Sequence, residues 1–144
     1  PGGSRTVAAD DFFVDLFETA IGEDEILTEV RVPKHTGWGA SYEKFVRVAH
    51  QWPIVAVAAT VRMDGDTIAE AKIGLTNMGN TPLRARASED ALAGQPATDD
   101  GVRPAAAKAA DGTTPPSDLN GASDYRKHLA TVLTRRAVLS AAGG

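Results

Sequence analysis

The chain has no cysteine among its 144 residues. That excludes disulfides, thiolate nucleophiles and cysteine-held iron–sulfur or zinc sites within it. Aromatic residues are scarce at 6%, with two tryptophans and two tyrosines. No apolar run approaches the roughly 20 residues that a membrane-spanning helix needs. Pro1-Gly2-Gly3-Ser4 is not the charged-then-apolar opening of a signal peptide. Positive charge is also short: Lys and Arg number 15 against 19 Asp and Glu, a formal net charge of −4. Such a balance gives no long-range attraction for nucleic-acid phosphates or anionic lipid. The absences together predict a water-soluble chain of a reducing compartment, cytoplasmic, with neither nucleic acid nor a membrane among its partners.

What is present is enough for a core. With 42% hydrophobic residues, a chain of this length can bury one compact interior and is too short for two ordinary domains. It opens without an initiator methionine and runs from Pro1 to Arg5 into ordered-looking sequence, which suggests a piece of a longer polypeptide. Phe12, Phe13, Leu16 and Phe17 recur at spacings of three and four. This predicts one or two helical turns from Asp10 to Phe17, with Asp10 or Asp11 near the N-cap and the phenylalanines entering a core. Ile26, Thr28, Val30 and Val32 alternate with polar or outward positions, the period-two mark of a strand ending at Pro33. Lys34 to Gly39 reads as a loop and a boundary.

Beyond it the order is sheet first and helices later, as in a segregated α+β domain. Ser41 to Val48 is a predicted strand with Tyr42, Lys44, Val46 and Val48 on one face. Ile54 to Met63 and Thr67 to Asn77 form a hairpin across Asp64-Gly65-Asp66, where glycine supplies the positive φ of a short turn. Ala56, Ala58 and Ala59 leave room above the first hairpin strand for a helix. Three helices follow: Ser88 to Leu92, Asp99 to Ala110 and Asp124 to Ala142, the first two stopped by Gly94 and Gly112. Tyr125, Leu129, Val132, Leu133 and Ala137 make the apolar stripe of the last, with Ser123 as its N-cap. Thr113 to Asn120, containing Pro115-Pro116, links helices. The predicted fold is α+β: an antiparallel sheet of three to four strands packed against a bundle of three helices.

Self-sufficient catalysis finds little support. His35, His50 and His128 are 15 and 78 positions apart, which is no metal-ligand spacing, and each reads as a surface histidine. Asp10-Asp11, Asp24-Glu25 and Asp99-Asp100 read as caps or solvated charge. Gly2-Gly3-Ser4 lacks the preceding strand and the following helix of a phosphate-cradling loop. Arg126, Lys127, Arg135 and Arg136 read as a solvated helix face. One pairing stands out. Lys44 and Trp52, eight residues apart ahead of the hairpin, suit the holding of a flat aromatic cofactor better than independent chemistry.

Several short segments then carry a resemblance. They are Asp24-Glu25-Ile26-Leu27 through Val32-Pro33, Tyr42-Glu43-Lys44-Phe45, Ile73 to Gly79 and Pro82-Leu83-Arg84-Ala85. Glu89 with Leu92 and Gly94, Pro116-Ser117-Asp118, Asp124-Tyr125-Arg126 and Leu133 to Ala137 continue the series. In this order and spacing they resemble the FAD-binding medium subunit of molybdenum hydroxylases, with the aerobic carbon monoxide dehydrogenases as the nearest likeness. The resemblance covers nearly the whole chain. It implies that residues 1–34 are the last part of an incomplete FAD-binding domain of the PCMH type and that 35–144 are the C-terminal α+β domain. The glycine-rich segments that grip the FAD pyrophosphate in such subunits have no counterpart here.

The resemblance also implies roles. FAD in such a subunit passes electrons from the iron–sulfur clusters of a small subunit to an acceptor, while the molybdenum cofactor of a large subunit oxidises the substrate. A hetero-oligomer with those two subunits is thus implied. Lys44 matches the lysine at the isoalloxazine ring, where a cation stabilises negative charge on the ring. Trp52 matches a position that carries an aromatic or acidic residue against the ring, and Leu27 one whose backbone lies near the cofactor. No residue is expected to be catalytic or to hold a metal, and the chain by itself is expected to be inactive. The alternative is an α+β domain that docks to other subunits with little or no flavin contact.

Overall fold

A computed structural model describes residues 2–143; Pro1, which opens the Pro1-Gly2-Gly3-Ser4 segment, lies outside them. The chain divides between His35 and Thr36 into two compact units.

The first unit departs from the sequence reading in both of its elements. The phenylalanine-rich segment forms one helical turn, α1 (Ala9–Phe12), and then two short strands, β1 (Phe13–Asp15) and β2 (Glu18–Thr19), paired antiparallel. Phe17 takes a φ of 58° in the turn between them. Of the four residues spaced by three and four only Phe12 lies in this helix, which stops after one turn, and Phe13, Leu16 and Phe17 are exposed rather than in a core. Phe12 and Phe13 instead meet edge to face, their centroids 5.1 Å apart. The predicted strand from Ile26 to Val32 is absent: no strand is assigned there, and Ile26 and Val32 are 85% and 80% exposed. A period-two pattern marks the faces a strand would have but needs a neighbouring strand to make a ladder. Arg5 organises this unit, its guanidinium donating to both Glu25 carboxylate oxygens at 2.6 Å and to the carbonyl of Ala20.

The second unit is the predicted α+β arrangement. Strands β3 (Trp38–Phe45), β4 (Val55–Asp64), β5 (Thr67–Thr76) and β6 (Leu83–Arg84) form an antiparallel sheet in the order β3-β4-β5-β6. Gly65, at φ 57°, makes the β4–β5 turn as its sequence predicts. The two-residue β6 was not foreseen; it is too short to show a period. The first strand of the sheet begins and ends three residues earlier than expected, so Trp38 and Gly39 belong to it, whereas Val46 and Val48 do not. Helices α2 (Arg86–Leu92), α3 (Asp99–Ala106) and α4 (Ser123–Ala142) follow. Among them α4 lies across β3 and β4, and α2 lies on β5.

Alternation sorts the strands into two faces. Val55, Val57, Ala59 and Val61 of β4 with Ile73 and Leu75 of β5 point to the helices and are buried. A bulge between Arg62 and Met63 shifts the register, which lets Ile68 and Ala71, three apart, both be buried. Ala59 alone of the three small residues faces the helices; Ala56 and Ala58 lie on the opposite face. Close approach is also needed at Gly39, where a Cβ would stand 1.8 Å from the carbonyl oxygen of Ala141 at the end of α4.

The expected stripe of α4 holds at Leu129, Leu133 and Ala137, which are buried, and fails at its start, where Arg126 takes the place expected of Tyr125. Arg126, Leu129, Ala130, Leu133, Ala137 and Ala141 are buried, while Tyr125 is exposed. Ser123 is the first helical residue rather than the cap, and Ala122 at the N-cap gives no side-chain hydrogen bond. Arg135 is not simply solvated either: its Nη1 reaches Asp99 of α3 at 2.8 Å.

The outer edge of β5 is closed by three devices. β6 pairs with it at Gly74 and Leu75. Next to that ladder the Ile73 N–H donates to Glu89 Oε1 at 2.7 Å and the Ile73 carbonyl accepts from Ala85. Further along, Ile68 exchanges backbone bonds with Gly94 and Gln95. Strand edges left bare invite pairing with other chains, and here a carboxylate completes the cover.

Candidate functional site

The face of the sheet away from the helices carries Lys44. Opposite it across β4 and β5 stand Ala56 and Thr76, and next in line are Tyr42, Ala58 and Gly74. Ala56 is wholly buried, so the open ground lies one pair along, where the exposed Ala58 and the half-buried Gly74 make a low floor with the exposed Tyr42 on its β3 border and Lys44 at its corner. A Cβ at Gly74 would meet nothing within 4 Å, so the space above the floor is open to a flat group. Farther along the same face the floor ends in a polar cluster, with Lys72 Nζ 5.3 Å and the Arg62 guanidinium 5.9 Å from the centre of the Trp38 ring. Glu70 bridges these two cations at 3.6 and 3.7 Å.

Trp52 belongs to the segment that joins β3 to β4. The base of that segment is closed by the Ile54 N–H donating to the Phe45 carbonyl at 2.8 Å. His50 at φ 64° turns the chain within it, and the Trp52 side chain emerges 84% exposed. An exposed indole is unusual because burying one is strongly favourable. Beside it lies a hollow of about 410 Å³ lined by Gln51, Trp52, Pro53, Ile54, Asn77, Asp118, Asn120 and Arg126. Lys44 does not line this hollow; it stands at the same end of the sheet, two residues before the segment begins at Val46. Leu27 is in the first unit, in the exposed stretch after Glu25.

Three residues of this corner were not foreseen. Asn77, at φ 62°, donates its side-chain amide to the carbonyls of Pro53 and Ile54 at 3.1 and 3.2 Å. Arg126, read from sequence as solvated, is wholly buried. It donates to the Ile54 carbonyl, to the Gly121 carbonyl at 3.4 Å and to Asp118 Oδ1 at 2.7 Å. A buried guanidinium needs such partners because desolvating an unpaired charge is very costly. The carboxyl of Asp118 is held below its usual range, first by the Asn120 N–H and then, against partial desolvation, by Arg126. The signal for Arg126 was in the helix period, since it lies three and four residues before Leu129 and Ala130.

Residues 40–141 match the model of the CO dehydrogenase flavoprotein C-terminal domain. The chain belongs to this family. It is 36% identical over 144 residues to the carbon monoxide dehydrogenase medium chain of Hydrogenophaga pseudoflava, covering 98% of this chain and 50% of that one. It is 40% identical over 139 residues to the corresponding chain of Afipia carboxidovorans, covering 96% and 48%. With the glyceraldehyde dehydrogenase medium chain of Sulfolobus acidocaldarius the identity is 35% over 135 residues, covering 94% and 48%. The chain thus spans about half the length of the curated relatives it matches.

The solved structure of a carbon monoxide dehydrogenase from Hydrogenophaga pseudoflava that lacks the Mo-pyranopterin moiety superposes with a TM-score of 0.92. It shares 39% identity and covers 98% of this chain and 50% of that one. The quinoline 2-oxidoreductase of Pseudomonas putida 86 superposes at 0.88 with 29% identity, covering 97% and 49%. The α+β fold read from the sequence is therefore that of the flavoprotein C-terminal domain. Among the described residues no helix is long and apolar enough to cross a membrane, and no cluster of three or more His, Cys, Asp or Glu could hold a metal ion.

Proposed function

We propose that this chain is the C-terminal part of an FAD-containing electron-transfer subunit of a molybdenum hydroxylase, in which Lys44 and Trp52 form one wall of the flavin site. The observation that carries this reading is the match of residues 40–141 to a flavoprotein domain, together with the open floor at Ala58 and Gly74 that Lys44 borders. The floor fits the group. Ala58 and Gly74 leave the space that a planar ring needs, and Lys44 offers a cation at its border without a carboxylate within ion-pairing distance among the described residues.

FAD, when bound, supplies the electron-carrying ring; the protein supplies orientation and charge. Lys44 presents an ammonium donor to ring oxygens and favours negative charge there. Trp52 presents an indole face that can cover the ring and limit the approach of an acceptor. Leu27 contributes through its backbone, so another apolar side chain there is tolerated. Residues 1–34 form the end of the FAD-binding domain, a reading supported by the exposed row of Ile26, Val30 and Val32, which calls for a covering surface. An iron–sulfur small subunit and a molybdopterin large subunit complete the assembly.

The test is flavin retention by the full-length gene product. Lys44→Ala weakens retention or shifts the visible flavin spectrum in this reading. If the full-length protein holds no flavin, or holds it unchanged after Lys44→Ala, the chain is instead a docking domain with little flavin contact.

A further inference from the structure

We infer that Asn77 and Arg126 are positioning residues for Trp52. The segment from Val46 to Pro53 has few bonds of its own. Gln51 N–H donates to the Ala49 carbonyl at 2.8 Å, and Ile54 N–H closes the base on Phe45. What holds its outgoing end lies elsewhere in the chain. The carbonyls of Pro53 and Ile54 point at the Asn77 amide, and the Ile54 carbonyl also accepts from Arg126. Two consecutive carbonyls directly after Trp52 are therefore gripped by side chains from the end of β5 and from α4.

Each grip is itself held. Asn77 is in the left-handed region at φ 62°, which asparagine tolerates better than most residues, and this conformation follows directly on the end of β5. Arg126 is buried on α4 and tied to Asp118, whose carboxylate also accepts from the backbone N–H groups of Asn120 and Gly121 at 2.8 and 3.2 Å. The turn at Asp118–Gly121 and the segment bearing Trp52 thus share one guanidinium. Proline at 53 removes a donor and restricts φ, so the segment's orientation is set by carbonyl acceptors. An indole that is 84% exposed has no packing of its own to fix it; its place is decided by the backbone beneath it.

That the place of Trp52 matters to a flavin rests on the reading above; the anchoring does not. The experiment uses the full-length gene product with its flavin and reads two signals, amide hydrogen exchange and the visible circular dichroism of the flavin. Asn77→Asp keeps the shape and tolerates the positive φ but cannot donate to a carbonyl. Asn77→Gly removes the amide and relieves the backbone, and Arg126→Lys keeps the charge and loses the fork.

Losing one such hydrogen bond corresponds to a roughly five- to tenfold shift in the local opening equilibrium. Protection at the Gln51 and Ile54 amides is expected to fall by at least that factor in each variant, the Asn77 variants losing two such bonds, while Val57 and Ile73 in the sheet keep theirs. The flavin dichroism is expected to move in the direction that Trp52→Leu moves it. Unchanged protection at Gln51 and Ile54, or an equal loss at Val57 and Ile73 in both Asn77 variants, overturns the inference. If Trp52→Leu leaves the flavin signal unmoved, the flavin role of Trp52 fails, and the exchange data still decide the anchoring.

Discussion

Removing the Glu89 side chain should cost far more than removing its ion-pair partner. Glu89 Oε1 accepts from the Ile73 N–H at 2.7 Å, and the carboxylate also accepts from Arg84 Nε and Nη2 at 2.7 Å each. The environments differ: Glu89 is 10% exposed and Arg84 33%. In Glu89→Ala the Ile73 N–H, on a wholly buried residue, is left without an acceptor, at about 1–3 kcal/mol. Breaking a partly exposed ion pair adds at most about 1 kcal/mol. The expected loss is about 2–3 kcal/mol, or roughly 6–15 °C in melting temperature for a domain of this size.

Arg84→Ala breaks the ion pair but leaves the Ile73 N–H its acceptor, and should cost about 1 kcal/mol or less. Glu89→Gln keeps an oxygen for the Ile73 N–H and should also stay near 1 kcal/mol. Urea unfolding of the four proteins, compared by midpoint at constant slope, is the assay. If Arg84→Ala or Glu89→Gln matches Glu89→Ala, charge is the dominant effect and closure of the β5 edge by Glu89 is not what stabilises the sheet.

Thr134 Oγ1 is buried and has no hydrogen-bond partner among the described residues. Thr134→Val should therefore raise the free energy of unfolding by about 1 kcal/mol, read from the urea midpoint at constant slope, and a loss of stability would show that the hydroxyl is satisfied. Gly39→Ala places a methyl against the Ala141 carbonyl, 1.8 Å away before relaxation. It should cost about 1–3 kcal/mol, with faster amide exchange confined to the last turn of α4; unaltered exchange there would contradict the close approach. Glu25 is held at a pKa of about 2, chiefly by Arg5 and then by the Gly22 N–H. Its ordinary value is near 4.3, so the contribution of the pair is full above that value and is lost as pH falls through about 2. A carboxyl NMR titration of Glu25 checks this, and a midpoint above 4 refutes it.

Legibility followed the range of the interactions. The β4–β5 hairpin could be read because its turn chemistry and both alternating strands lie within one short stretch. The segment from Ile26 to Val32 misled because its alternation is real, whereas a ladder depends on a second strand that its own residues do not specify. In α4 the stripe was right at Leu129, Leu133 and Ala137 and wrong at its first member, because a tyrosine looked apolar and an arginine looked solvated. The helix period alone puts Arg126 in line with Leu129, Ala130 and Leu133.

The candidate site divides in the same way. Lys44 and Trp52 were legible as residue types, a cation and an indole ahead of a hairpin, and the resemblance assigned them roles. Neither composition nor spacing could show that Lys44 stands at the corner of a small open floor, Ala58 and Gly74, on the face away from the helices. That depends on the register of three strands.

By itself the sequence determined an α+β chain without cysteine, with its hairpin, its helices and its family membership, because these rest on local periodicity, turn residues and short ordered motifs. Only the tertiary structure decided that Asn77, Asp118 and Arg126 meet under Trp52 and that Glu89 closes a strand edge. These are hydrogen bonds between residues far apart in the chain, and their partners are chosen by which backbone groups packing leaves without an acceptor or donor.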